Sequence, residues 1–408
     1  MTAREYPVFT VTPKAERSLR AGHPWVYGEE VTAVEGAYQN GDIVDVVSNK
    51  GRYLGTGWVN DHSKIRVRII SRNANDTFDE AFFRRRVCYA LNYRKTVMGP
   101  VDYRCCRLIF GEADQFPGLT VDRFENILVT QVLSLGMERR KDWVYRALVE
   151  LLREDGEQID AIYERNDVAI RTLEGLEQGK GFYQMEGLRT DLSGHVTITE
   201  NGIKYDVDYI DGQKTGFFLD QKYNRQAAAK LARGRRVLDC FTHTGAFALN
   251  AAAAGAEHVT AVDVSAFALE LAAENGKRNG LTNLDYKCAD VFDLLTEMAK
   301  EKKCDYDYII LDPPAFTKSR ATAKNAYHGY KEINRKAMRL LSRGGYLATC
   351  SCSHFMTDEM FRKMLREAAL DAGVTLRQIE ARQQAPDHPI LPGVPETDYL
   401  KFYLLQVV

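Results

Sequence analysis

The 408-residue sequence predicts an α/β protein whose C-terminal half is an open, doubly wound parallel sheet, preceded by a β-rich segment and a compact α+β segment. Three observations predict it. Arg236–Asn250 reads as an apolar strand ending in Asp239, a polar loop closed by Gly245, and a helix of small residues. Three further apolar runs follow, Val259–Val264, Leu284–Cys288 and Tyr308–Leu311, each with an aspartate at or just past its carboxyl end: Asp263, Asp290 and Asp312. In open α/β sheets ligands sit at the carboxyl ends of the strands, and an acid there suits ribose hydroxyls. Finally, residues 1–73 carry short alternating or β-branched runs punctuated by Gly, Asn and Asp, the pattern of a small β domain.

Taken in order, the first segment offers strands over Val8–Thr12, Asp42–Val47, Arg52–Trp58 and Lys64–Ile70. A short basic helix from Lys14 ends at Gly22 and Pro24. With Gly22-His-Pro-Trp-Val26 and Gly51-Arg-Tyr-Leu-Gly-Thr-Gly57, this segment resembles a PUA domain, a barrel that binds structured RNA. The middle segment, 74–190, opens with a helix from Asp79 to about Thr96, in which Phe82, Phe83, Val87, Ala90 and Leu91 recur at helical spacing as a core stripe. Strands are expected at both ends of Arg107–Phe124 and at Ile127–Leu133, then a helix over Arg140–Leu152 and a hairpin of Asp160–Tyr163 with Val168–Arg171. The third segment is 191–408; near its start Phe218, Asp220 and Gln221 are expected along a cofactor edge, Phe218 offering a ring face to adenine.

Composition bounds the class. With 45% hydrophobic and 27% charged residues the chain is an ordinary globular protein, long enough for two to four domains. No apolar run of about 18 residues indicates a membrane span, and no signal peptide opens the chain, so a cytoplasmic location is expected, with the eight cysteines as thiols. No Cys-x-x-Cys pair argues for a metal. Net charge is −1, yet seven Lys/Arg face one acid between Arg84 and Arg107, and eight face one between Pro314 and Arg343. Next to the strand-end acids, the second cluster points to a polyanionic substrate.

The strand-end series, with Asp312-Pro-Pro-Ala-Phe316, resembles the class I S-adenosylmethionine methyltransferases. The Gly-x-Gly-x-x-Gly fingerprint of dinucleotide binders is absent. In order along the chain, Gly22–Val26, Gly118–Phe124, Lys214–Gln221, Asp312–Phe316, Gly329–Asn334 and Ser351-Cys-Ser353 resemble the ribosomal RNA large subunit methyltransferase I family over nearly its full length. That resemblance implies an N-terminal PUA barrel, a central α+β domain and a C-terminal Rossmann-like methyltransferase acting at C5 of a cytosine in 23S rRNA. It leaves open the target nucleotide, a different rRNA atom, and a homodimer. S-adenosyl-L-methionine would be held by Phe218, Asp220, Gln221, Asp239, Phe241, Thr244, Gly245, Asp263, Val264, Asp290, Val291 and Asp312, and the substrate by Pro313, Pro314, Phe316 and Lys318.

C5 of cytosine is a poor nucleophile, so a thiolate must first add at C6. Tyr346–Thr349 is expected as a strand whose end carries Cys350-Ser-Cys352. Cys352 matches the family position and is expected to be the nucleophile, its pKa lowered by the basic stretch from Lys318, with Cys350 in support and Asp312 on the cytosine edge. Another cytosine-C5 class has a second cysteine where this chain has Pro314-Ala315, which leaves the proton-removing base unassigned. Two other classes remain: a nicotinamide oxidoreductase, disfavoured by Thr242-His-Thr-Gly245, and a catalytically silent RNA-binding factor.

Overall fold

The computed structural model describes residues 5–301, 304–317 and 319–408, and the chain forms two compact units. The first runs to Ile198 and takes in Val207–Leu219 and Pro386–Thr397; the second comprises Thr199–Asp206, Asp220–Ala385 and Asp398–Val408.

In the first unit, six strands form one sheet in the order Trp25–Tyr27, Ile65–Ser71, Tyr53–Val59, Ile43–Ser48, Val8–Val11, Val31–Glu35. The four strands expected from alternation are present, each within about a residue of its expected bounds. Trp25–Tyr27 and Val31–Glu35 are additional. The inward residues Phe9, Val11, Val44, Val46, Val67 and Ile69 are buried together with Leu19 of the helix Pro13–Arg20, whose first turn is capped by Thr12 Oγ1 at 3.3 Å from Ala15 N.

The same unit holds a five-stranded sheet, in the order Gly179–Phe182, Ala161–Asn166, Ile127–Val132, Leu119–Phe124, Cys105–Phe110. Helix Glu80–Val97 buries Phe82, Phe83, Val87, Ala90 and Leu91, the expected core stripe. One element differs. Val168–Arg171 is not a strand: Ala169–Glu174 is a 3-10 helix, and the hairpin partner is Gly179–Phe182, with Tyr163 opposite Phe182. Arg171 decides it, because its buried guanidinium donates to the carbonyls of Val132 and Glu177 and pairs with Glu138, bonds that need a turn at this point. Two glycines hid the true strand from a propensity reading.

The second unit is built on seven strands: β1 (Arg236–Cys240), β2 (His258–Asp263), β3 (Leu284–Cys288), β4 (Tyr308–Leu311), β5 (Tyr346–Ser351), β6 (Leu376–Arg382) and β7 (Lys401–Val407). Their order is β3-β2-β1-β4-β5-β7-β6. β3 through β5 are parallel neighbours, and β7 runs antiparallel to both β5 and β6. Helices α1 (Lys222–Ala229), α2 (Ala246–Ala253), α3 (Ala266–Arg278), α4 (Val291–Glu301), α5 (Ala323–Leu340) and α6 (Asp358–Ala372) accompany them. Alternation sorts each strand between two cores. Val237, Val259 and Ile310 join Ala248 and Ala251 of α2, whereas Leu238, Val262 and Ile309 join Tyr330 and Ile333 of α5. Full burial of such aliphatic side chains contributes about 1.5–3 kcal/mol each. The chain proceeds outward from β1 on one side and from β4 on the other, so the crevice at the carboxyl ends of β1 and β4 is the topological switch point. Among the described residues no helix is long and apolar enough to cross a membrane.

Candidate active site at the switch point

The loop after β1 is strained and tied down. Phe241 (φ 65°) and His243 (φ 51°) adopt left-handed backbone conformations, as does Gly245 (φ 85°), where a Cβ would also meet Ala272 Cβ at 3.0 Å. A non-glycine residue in such a region costs about 1–3 kcal/mol and persists only where its surroundings over-determine it. Here they do. Asp239 Oδ2 accepts from Thr242 Oγ1 at 2.6 Å and from Ala248 N at 2.9 Å, closing loop onto helix. Thr242 N bonds Val262 O, and His243 N bonds Asp263 Oδ2, both at 2.9 Å.

Asp239 is fully buried, and burial pushes its carboxyl up to about 7, with Asp312 adding to the rise against the hydrogen bond from Thr242. Its second oxygen, Oδ1, has no hydrogen-bond partner among the described residues. A buried acceptor left over beside a strained loop suits a cationic ligand, which would satisfy the oxygen and favour the charged carboxylate. Asp263 uses each oxygen once, for His243 N and for Ser265 N at 2.9 Å, and Val264 and Phe267 stand exposed after it. Asp290 caps α4 through Phe292 N (2.7 Å) and Asp293 N (3.2 Å). Thr244 is half-buried within the same loop. S-adenosyl-L-methionine, a cation with a ribose, therefore fits Asp239, Asp263 and the loop between them.

Across the switch point, Asp312 Oδ1 accepts from Gln221 Nε2 at 3.1 Å and from the Cys350 thiol at 3.3 Å; Asn224 in turn donates to Gln221 Oε1 at 2.7 Å. Burial pushes Asp312 up to about 6. Burial and then the Asp312 charge push the Cys350 thiol well above its ordinary value, so Cys350 stays protonated and donates, also to Leu311 O at 3.4 Å. Cys352 lies just past β5 and is only partly buried. The two cysteines thus have opposite environments.

The other expected site residues have these surroundings. Phe218 belongs to the first unit, where the Lys214 ammonium stands 4.4 Å from its ring centroid. Asp220 accepts from Tyr399 Oη at 2.6 Å. The side chain of Val291 is buried in the core beside β4 and α5. Pro313 is buried and Pro314 exposed, while Phe316 packs on Tyr330 with ring centroids 4.5 Å apart. Lys318 lies outside the described residues.

The two basic clusters differ in how far their charge is paired. Of the seven cations between Arg84 and Arg107, six have acidic partners: Arg84, Arg85, Arg94, Lys95, Arg104 and Arg107. In the second cluster Lys331 pairs with Asp371 and Glu367, and Lys336 with Glu332. Most of the first cluster's charge is thus spent on partners elsewhere in the chain, which a count along the cluster cannot see, whereas Lys336 pairs one turn back on its own helix.

Sequence reading missed Lys401. It sits opposite Ser351 in the β5–β7 register, 5% exposed, with Nζ donating to Ser353 O at 2.7 Å and Tyr399 O at 2.8 Å. Burial lowers its pKa to about 8, against the opposing charges of Cys352, Asp398 and Asp358. Tyr330, whose Oη lies 2.9 Å from Ser353 Oγ, was missed as well. The one sequence signal for Lys401 is a cation at an otherwise apolar strand start, Lys401-Phe-Tyr-Leu-Leu405.

Two family models match the chain: a PUA-like domain over residues 9–72 and an S-adenosylmethionine-dependent methyltransferase over residues 183–404. The chain is 40% identical to the ribosomal RNA large subunit methyltransferase I of Pseudoalteromonas atlantica, covering 98% of this chain and 99% of that one. It is 42% identical to the protein of that name from Aeromonas salmonicida, over 95% and 96%. Among solved structures, a SAM-dependent methyltransferase from Streptococcus mutans has a TM-score of 0.81 at 23% identity, over 98% of this chain and 100% of that one. A methyltransferase complexed with SAH has a TM-score of 0.82 at 22% identity, over the same shares.

Proposed function

Because the chain belongs to the ribosomal RNA large subunit methyltransferase I family, and is a SAM-dependent rRNA methyltransferase, we propose that it methylates C5 of a cytosine in 23S rRNA through a covalent bond from Cys352 to C6. One observation carries this reading: of the two cysteines at the end of β5, Cys350 is locked as a buried hydrogen-bond donor to Asp312, which leaves the more exposed Cys352 for attack.

S-adenosyl-L-methionine, when bound, supplies an electrophilic methyl group on a sulfonium sulfur. The chain does the rest. Asp239 and the loop Phe241–Gly245, with Thr244, hold the cationic end; Asp263 takes the ribose hydroxyls, Val264 covers the adenine, and Asp290 lies near it. Asp312, near 6, is partly protonated at neutral pH and can give a proton to N3 of cytosine while accepting from its amino group. That polarises C6 toward the Cys352 thiolate; C5 becomes an enamine carbon and takes the methyl group, and a base then removes the C5 proton as Cys352 leaves as the thiolate. The target base must leave its stack to reach the thiol. Residues 1–73 hold the RNA, 74–190 form the central domain, and 191–408 carry out transfer in the cytoplasm.

The test is a nucleoside analysis of 23S rRNA from cells with and without the gene. One 5-methylcytidine should disappear on deletion and return with the wild-type gene. A lost methyl group on any other base would overturn the cytosine assignment.

A further inference from the structure

A buried ammonium without a carboxylate partner is costly, and Lys401 is such a group: 5% exposed, hydrogen-bonded to the carbonyl oxygens of Ser353 and Tyr399, with no acid within ion-pair distance among the described residues. Two of the three ammonium hydrogens are spent on Ser353 O and Tyr399 O, the first being the carbonyl of the residue after Cys352. The β5–β7 register, with Ser351 opposite Lys401, fixes the amine beside the strand end that carries Cys352. Resting on the reading of Cys352 as nucleophile, we propose that Lys401 is a positioning residue that sets the charge of that thiol: its buried ammonium holds Cys352 as the thiolate for attack on C6.

The step balances. Cys352–SH gives its proton to solvent and becomes Cys352–S⁻, while Lys401 stays Lys401–NH₃⁺ throughout. When sulfur bonds to C6, negative charge passes to the base and the ammonium stays between its two carbonyls. When the C6–S bond breaks, the thiolate returns to the same cation. The groups facing this pair are few. Asp358 and Asp398 act on Lys401 as more distant charges, while Tyr330, with its phenol pushed up to about 12, and Cys350 flank Cys352 and stay neutral. His354 follows two residues on, its Nδ1 buried without a partner. Of these, Cys352 is the leading opposing charge on Lys401.

The experiment is site-resolved alkylation of the full chain by iodoacetamide, without RNA, across pH 5.5–9.5, read on the Cys352 peptide by mass spectrometry. In the wild type the rate should reach half its plateau below about pH 7.5, against about 8.5 for a free thiol. Lys401→Met should move that midpoint up by at least one pH unit and cut the rate at pH 7 about tenfold. Lys401→Arg, which keeps a cation, should leave it low, and the exposed Cys288 should titrate alike in all three proteins. Superimposed wild-type and Lys401→Met profiles would overturn the proposal. So would a wild-type midpoint at or above 8.5, which decides the matter even if Lys401→Met does not fold. The nucleophile reading fails separately: Cys352→Ala that still methylates rRNA would remove it without altering the titration.

Discussion

Asp239→Asn removes a single charge from the fully buried end of β1 while keeping an oxygen for Thr242 Oγ1 and Ala248 N. The folded carboxyl titrates at about 7, roughly three units above its ordinary value, and each unit is worth about 1.4 kcal/mol. The folded state therefore holds its proton more tightly than the unfolded chain. Between about pH 4 and 7 it binds more protons, so this group's contribution to stability falls as pH rises, by up to about 4 kcal/mol above pH 7. The Asn variant lacks that slope. If Asp239 holds the cationic cofactor as proposed, binding reverses the balance, because it favours the ionised carboxylate. In urea unfolding monitored from pH 5 to 8, the unliganded variant should gain on the wild type as pH rises. Binding of S-adenosylmethionine to the wild type should tighten over the same range, more than that of S-adenosylhomocysteine, which lacks the sulfonium charge. In the variant, affinity should drop at least tenfold at pH 8 and little at pH 5. A variant that loses ground to the wild type as pH rises, or binds the cofactor as tightly at pH 8, would refute the reasoning.

Other outcomes follow from the same geometry. Asp263→Ala should weaken S-adenosylmethionine binding, measured by calorimetry, through loss of the proposed ribose contact and of the bond that ties His243 N in place. Cys350→Ser keeps a donor to Asp312 and should retain measurable methyl transfer, whereas Cys350→Ala should raise the Asp312 pKa further and shift the pH–rate profile upward. RNA affinity should fall steeply with salt, since phosphate contacts release counterions, and a flat response would contradict electrostatic holding of the RNA.

The strands β1 and β4 beside the switch point were legible because parallel strands buried on both faces read as short apolar runs, with an aspartate at or just past the carboxyl end marking each. The loop was legible through Gly245, whose left-handed backbone glycine adopts freely, although Phe241 and His243 share that conformation without any local sign of it. Long-range partners were not. Cys350 and Cys352 look equivalent in Cys-Ser-Cys, and only their burial and the approach of Asp312 separate them. Lys401 comes to Cys352 through a strand pairing across fifty residues of sequence, which no motif encodes. Arg171 likewise turned an alternating stretch into a 3-10 helix by reaching carbonyls on other elements.

The central claim is that Cys352 bonds to the target cytosine. Wild-type protein incubated with S-adenosylmethionine and 23S rRNA containing 5-fluorocytidine should form a covalent complex, because fluorine at C5 blocks the elimination that frees the thiol. Digestion should leave a methylated fluorocytidine on the peptide containing Cys352, and Cys352→Ala should form no complex while still binding cofactor and RNA. An adduct on Cys350, or an adduct or methyl transfer that survives Cys352→Ala, would contradict the account.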